Sequence, residues 1–277
     1  MTILIFTLIL LAGAYMAGLL GSLTGLGGGV IIIPLLTLVF HVDIRYAIGA
    51  ALLASIATSS GAASAFVKEG ITNIRLGMFL EIATTIGAVV GAFIAIYMPT
   101  NAIAVIFGVV LIFSAAMTIR KKHEAKLIKG SKLSEKLKLN STYPVDGKKV
   151  SYQLTNVAGG FSLMTVAGVL SGLLGIGSGS LKVLAMDSTM KIPFKVSTTT
   201  SNFMIGVTAA ASAVVYLQRG YMDPGIAFPV VLGVLCGALT GAKILPKINP
   251  RTLRIIFAVA ITLVAIEMII NGFNHKF

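Results

Sequence analysis

An all-α, polytopic membrane protein made of two inverted repeats, each of about five transmembrane segments with broken, short helices starting at glycine clusters, is the fold that three features predict. The 277 residues are 56% hydrophobic and 11% charged, with a mean hydropathy of +0.97. The chain matches itself, without gaps, at a shift of 150 residues. Its basic residues fall on one side of the predicted spans, as the positive-inside rule requires.

Soluble domains carry roughly 25% charged residues, so lipid is the solvent for most of this chain. The self-match sets Ala17-Gly18, Leu20, Leu23, Gly25, Gly27 and Gly29 on Ala167-Gly168, Leu170, Leu173, Gly175, Gly177 and Gly179. It continues through Thr58/Thr208, Gly87/Gly237, Gly91/Gly241 and Phe107/Phe257. A unit of this length is too long for a solenoid and is typical of secondary transporters built from two halves around a central site.

Apolar runs bounded by Gly, Pro and charges place the segments near 2–22, 28–40, 46–67, 74–97 and 101–119, then 156–172, 178–190, 196–217, 224–245 and 251–272. The long ones have the roughly 20 residues needed to cross the hydrocarbon. The first lacks the preceding positive charge of a signal peptide and reads as a retained helix. The second of each half is short and opens at glycines, which predicts a start part-way through the bilayer. Residues 1–119 are read as the first repeat, 120–155 as a basic linker and 156–277 as the second repeat.

The net charge of +13 does not predict a nucleic-acid partner. Ten of the 22 Lys and Arg lie between Arg120 and Lys149, and most others flank apolar runs. With the linker in the cytoplasm, five segments per half put Lys68, Arg75, Lys191, Lys195, Lys243, Lys247, Arg251 and Arg254 on the same side. Only Arg45, Arg219 and Lys276 lie opposite. Four spans per half would spoil that asymmetry, so the halves are expected to be inverted with both termini outside. The linker reads as a solvated connector near anionic lipid, with a small hairpin around Asp146-Gly147.

Glycine clusters carry the strongest site signal. Gly25-Leu26-Gly27-Gly28-Gly29 and Gly175-Ile176-Gly177-Ser178-Gly179-Ser180 lack the spacing of a dinucleotide fingerprint. Inside a membrane such turns break a helix and are tolerated where they line a cavity or are buried in protein. Each opens a helix, whose free N–H groups favour an anion. Lys182 follows in an apolar stretch where the first half has Ile32, and an intramembrane lysine is a functional candidate. Hydroxyls and amides of the third segments, Thr58, Ser59, Ser201 and Asn202 among them, would hold oxyanions; the bland reading is interhelical bonding. Glu81 and Glu267 are each candidates for a coupling proton, neither with an obvious partner, and Glu81 is taken as the coupling candidate. Gly87-x-x-x-Gly91 and Gly237-x-x-x-Gly241 read as packing faces, within the protomer or in a homodimer. Cys236 reads as a small packing residue. His41, His123 and His275 form no metal spacing, no metal is expected, and no cofactor is called for.

These glycine motifs, with Pro34 after the first and Leu181-Lys182 after the second, resemble the sulfite exporter TauE/SafE family of anion permeases. So do Lys195-Val-Ser-Thr-Thr-Thr-Ser-Asn-Phe-Met-Ile-Gly-Val-Thr-Ala-Ala and Gly220-Tyr-Met-Asp-Pro. The resemblance implies a multi-pass permease of a bacterial or archaeal plasma membrane that moves sulfite, sulfonates, thiosulfate or related anions with proton coupling. Ser178, Ser180 and Leu184 depart from the pattern and bear on the substrate. The expected partners are a small anionic substrate and the lipid bilayer. The expected substrate contacts are Gly27, Gly28, Gly29, Thr58, Ser59, Gly177, Ser178, Gly179, Ser180, Lys182, Ser201 and Asn202. The rival readings are a transporter or channel for another small anion or carboxylate, and a membrane-embedded enzyme. The enzyme lacks a converging acid, base or metal set in the spans.

Overall fold

The computed structural model describes residues 3–24, 27–68, 70–119, 130–145, 148–244 and 250–276. The first half comprises α1 (Ile3–Thr24), α2 (Gly29–Pro34), α3 (Ile44–Lys68), α4 (Ile74–Tyr97) and α5 (Thr100–Ile119). The linker holds α6 (Lys132–Lys136), β1 (Ser141–Val145) and β2 (Lys148–Tyr152). The second half comprises α7 (Val157–Leu174), α8 (Gly179–Leu184), α9 (Phe194–Gln218), α10 (Pro224–Ile244) and α11 (Pro250–Phe273). Every expected segment is present, with ends within two residues of those the sequence predicts. By length and composition α1, α4, α5, α7, α9 and α10 suffice to cross a membrane.

The first residues of α2, α3, α4 and α5 lie 150 positions before those of α8, α9, α10 and α11. Both short helices widen into one π turn, at Leu35–Val39 and Ala185–Thr189. The turn forms after Pro34 in one half and after Leu184 in the other, so proline is not its cause. Each ends in a left-handed residue, His41 or Lys191. The next N–H then bonds back, from Val42 to Leu36 O and from Ile192 to Met186 O, both at 3.0 Å.

Helices exchange partners between halves. α1 packs on α10 and α4 on α7, each pair parallel, because Leu11, Tyr15 and Leu19 meet Gly233, Gly237 and Gly241 in rising order. The close approaches recur under the shift. A Cβ on Gly18 would overlap the Val234 carbonyl, and one on Gly168 the Thr84 carbonyl. Gly237 likewise faces Tyr15 O, and Gly87 faces Thr165 O. Hydrophobic sorting is weak between lipid-immersed helices, so backbone contact through small residues holds them. The two small-xxx-small faces are thus occupied within the protomer.

α3 packs on its own copy α9, and α5 on α11, and both pairs are antiparallel. Gly49 meets Tyr221 beyond the end of α9, while Ser59 reaches Asn202 near its start. Gly108 packs on Ala265, and Asn101 bonds His275 at 3.0 Å.

The linker departs from a purely solvated connector. β1 and β2 pair antiparallel, with Tyr143 opposite Val150; the expected turn at Asp146-Gly147 lies outside the described residues. Leu139, Tyr152 and Leu154 are buried in one cluster with Leu76, Leu80, Met186 and Met190, each contributing roughly 1.5–3 kcal/mol. Asn73 ties this cluster together. Its Oδ1 accepts from Leu76 N at 3.0 Å to cap α4. Its Nδ2 donates to Leu139 O at 2.9 Å and Tyr152 Oη at 2.8 Å. Burial pushes the Tyr152 phenol up to about 12, so it stays protonated at physiological pH. Lys132, Lys136, Lys138 and Lys149 remain exposed. Docking leaves these four lysines in water and takes Leu139, Tyr152 and Leu154 inward.

Cys236 is a second correction. It is exposed, although its neighbour Gly237 on α10 is buried against α1. Gly237→Val should lower thermal stability in detergent by the equivalent of about 1–3 kcal/mol or more, because its Cβ would strike backbone. Val90→Leu, on an exposed face of α4, should leave the melting temperature unchanged. Equal melting of the two variants would show that these contacts do not hold the halves together.

Candidate functional site

The two glycine turns meet at the centre of the bundle. A Cβ on Gly29 would lie 2.9 Å from Gly175 O and 2.8 Å from Ser55 Oγ, and one on Gly27 would lie 3.9 Å from Ile176 O. Gly27 and Gly177 both adopt φ values near the left-handed region, +83° and +65°. Their followers differ. Gly28 is right-handed, whereas Ser178 holds φ 42°, a conformation costly for a side chain with a Cβ. Ser178 Oγ donates to Ala167 O at 2.6 Å, which anchors the strained turn to α7.

Above the turns the repeat partners also differ. Ser55 packs on Gly27 and Gly29, and its hydroxyl is buried without a partner. Its copy, Ile205, packs on Gly177. One turn faces a hydroxyl and the other a branched apolar side chain.

Most of the expected hydroxyls are already engaged by the protein. Thr58 Oγ1 donates to Ala54 O at 2.7 Å and accepts from Gly28 N at 3.3 Å. Ser201 Oγ donates to Gly179 O at 3.1 Å, and Ser180 Oγ pairs with Ser114 Oγ at 2.7 Å. Asn202 is buried, and its side-chain amide has no protein partner among the described residues. The interhelical reading of the hydroxyls therefore accounts for most of them.

Ser59 makes an interhelical bond of an unusual kind. Its hydroxyl donates to Asn202 O at 2.5 Å and accepts from Gly206 N at 3.0 Å. Those two groups are the i and i+4 positions that an α-helix pairs directly, so α3 inserts a hydroxyl into the ladder of α9. A Cβ on Gly206 would lie 2.8 Å from Ser59 Oγ, and only glycine leaves the room. A serine facing an interior-helix glycine across a crossing is the signal that was available.

Lys182 is fully buried and does not snorkel. Its Nζ donates to Thr208 Oγ1 at 2.5 Å, and Thr208 Oγ1 donates to Glu81 Oε1 at 2.6 Å. Glu81 therefore has the partner that the sequence did not reveal. Thr85 Oγ1 also reaches Glu81 Oε1, at 3.3 Å, and Thr84 Oγ1 lies 3.4 Å from Thr208. Neither threonine of α4 is marked by the repeat, since their copies are Leu235 and Val234. Glu267 is exposed on α11 and takes no part. Among the described residues no cluster of His, Cys, Asp and Glu would hold a metal.

A helical bundle with apolar outer faces, an interior that closes on paired glycine turns and one buried lysine–carboxylate relay defines a polytopic membrane transporter. Residues 10–268 match the family described as sulfite exporter TauE/SafE, and the chain belongs to that family. It is 30% identical over 272 residues to the probable membrane transporter protein YunE of Bacillus subtilis, covering 95% of this chain and 97% of that one. YdhB of the same organism, also named a probable membrane transporter protein, is 27% identical over 84% of this chain and 89% of its own length. A probable membrane transporter protein of Methanocaldococcus jannaschii is 25% identical over 97% of both chains. No solved structure matches.

Ser59→Ala should cost about 1–3 kcal/mol, since it leaves a buried carbonyl and N–H of α9 apart without their bridge. Ser60→Ala, one position on and exposed, should be neutral. Thermal unfolding in detergent distinguishes them, and equal melting points would mean that the Ser59 hydroxyl does not support the α9 ladder.

Proposed function

We propose that this chain is a secondary transporter of small sulfur-containing anions such as sulfite, sulfonates or thiosulfate, coupled to protons and working by alternating access. The observation that carries the proposal is Lys182, a fully buried lysine three residues beyond one of two glycine turns that meet at the centre. A cation held away from water at that place is expensive unless it serves an ion pathway. The family's own description names sulfite. Ser55, Ser171 and Asn202 have side chains near the turns without protein partners among the described residues, and they would supply neutral donors.

Two inverted halves are part of the same reading. α3 and α5 each lie antiparallel to their own copies. That relation fits a twofold axis across the helices rather than along them and supports the reading that one half is upside down in the bilayer. Rocking one half on the other would expose the centre to each side in turn. In this conformation Ile48 and Ile205 pack on Gly175 and Gly177, so opening the site requires them to move. Its basic residues support a linker on the cytoplasmic side of a bacterial or archaeal plasma membrane.

Purified protein should be stabilised against heat by at least one of sulfite, thiosulfate and methanesulfonate. In liposomes it should show counterflow of that anion, which a channel would not. Lys182→Met should abolish both effects, a loss of tenfold or more in apparent affinity. No protection and no flux with any of the three, or an unaltered Lys182→Met variant, would end the anion reading. For topology, Lys136→Cys in a Cys236→Ser background should react with an impermeant maleimide only after the membrane is opened. Lys276→Cys should react in intact cells, and the reverse pattern would overturn the orientation.

A further inference from the structure

Glu81 and Lys182 break the repeat together, for their copies are Val231 and Ile32. Both are buried, the lysine completely and the acid to within 8%. They do not close on each other. Thr208 Oγ1 stands between them, accepting from Lys182 Nζ and donating to Glu81 Oε1. An ammonium has three donors, and the structure gives this one a single acceptor. Glu81 Oε2 is buried with no hydrogen-bond partner among the described residues. A pair serving only to hold helices together would be expected to satisfy these atoms, since buried charge is stabilising only when its hydrogen bonds are complete.

We infer that Glu81 and the transported anion compete for Lys182, so that each monoanion bound obliges Glu81 to take up one proton. This rests on the anion-transporter reading above. Without substrate, the lysine charge is balanced by the Glu81 carboxylate across Thr208. An anion arriving while Glu81 is ionised would leave one uncompensated negative charge in the bundle, which a lipid-flanked interior disfavours. A proton from solvent water joining Glu81 Oε2 removes that charge and changes no other covalent bond. When the anion leaves, the carboxyl returns its proton to the solvent on the side then open, and Glu81 again balances Lys182. One anion and one proton cross together, with no net charge moved. Thr208 is a positioning residue here, because its single hydroxyl sets how far the acid stands from the ammonium.

Glu81 has few electrostatic neighbours. Lys182 is the charged side chain of α8, and the π turn that continues it carries Asp187. α7 has none, and α9 contributes Lys195 and Tyr216 toward its two ends. α4 itself carries Arg75 at its start. The docked linker brings Tyr152, whose phenol stays neutral.

The test uses full-length protein in detergent with methanesulfonate, which stays a monoanion throughout the working range, so that any pH dependence belongs to the protein. Binding in weakly buffered solution with a pH indicator should take up about one proton per anion. Apparent affinity should fall about tenfold per pH unit once Glu81 is ionised, by proton linkage. Glu81→Gln should bind with pH-independent affinity and no proton uptake. Thr208→Val, which keeps the shape and removes the bridge, should move the pH at which uptake begins; an unmoved midpoint overturns its positioning role. Binding without proton uptake in the wild type, or the same uptake in Glu81→Gln, overturns the competition and leaves the transporter reading standing. If Glu81→Gln does not yield monodisperse protein, the wild-type proton count decides alone. Absence of methanesulfonate binding in the wild type overturns the inference together with the sulfonate part of the reading beneath it.

Discussion

Backbone-to-backbone contact through missing Cβ atoms is the constraint on which the rest of this structure depends. Where helices lie in lipid, burying one apolar side chain against another gains little over burying it in acyl chains. Close approach of the main chains is what makes one pairing better than another. α1 settles on α10 and α4 on α7 because Gly18, Gly87, Gly168 and Gly237 each leave room for a carbonyl of the partner. These crossings knit the two halves into one bundle and hold the short helices α2 and α8 at its centre.

Into this near-symmetric frame the chain builds an asymmetric interior. The copies of Ser55, Glu81 and Lys182 are Ile205, Val231 and Ile32, so one set of positions is polar and its mirror apolar. The polar set is drawn from both halves, with Glu81 on α4 and Lys182 on α8 joined through Thr208 on α9. A duplicated scaffold supplies two like halves, and divergence of a few residues leaves one charge relay among the described residues. The linker adds a further asymmetry by covering only the end where α4, the π turn of α8 and the start of α7 come together.

The segment pattern was legible because it is set by local chemistry. Apolar runs of spanning length, glycine breaks and flanking charges are visible residue by residue, and the helix ends follow them closely. Lys182 was legible as a breach of the repeat. Its partnership with Glu81 was not, because the two residues are about a hundred positions apart and neither α4 nor α8 marks the face it turns to the other. Ser59 admits both a substrate-donor and an interhelical reading in the sequence, and in this structure it bridges the ladder of α9, since the crossing decides whether a hydroxyl faces a cavity or a backbone. Cys236 and the linker failed for a related reason. An apolar run does not say which of its faces meets lipid, and a basic segment does not say where its few apolar residues dock.

The sequence by itself determined that this is a membrane-embedded helical chain of two like halves, because hydropathy, charge placement and self-similarity are additive along the chain. Tertiary structure alone decided that helices exchange partners between the halves, that most of the expected hydroxyls bond to protein groups and that a buried lysine and a buried acid share one threonine. Those outcomes depend on which side chains converge within a few ångströms in a medium without water. A buried charge there must find its partner in space, wherever in the chain that partner lies.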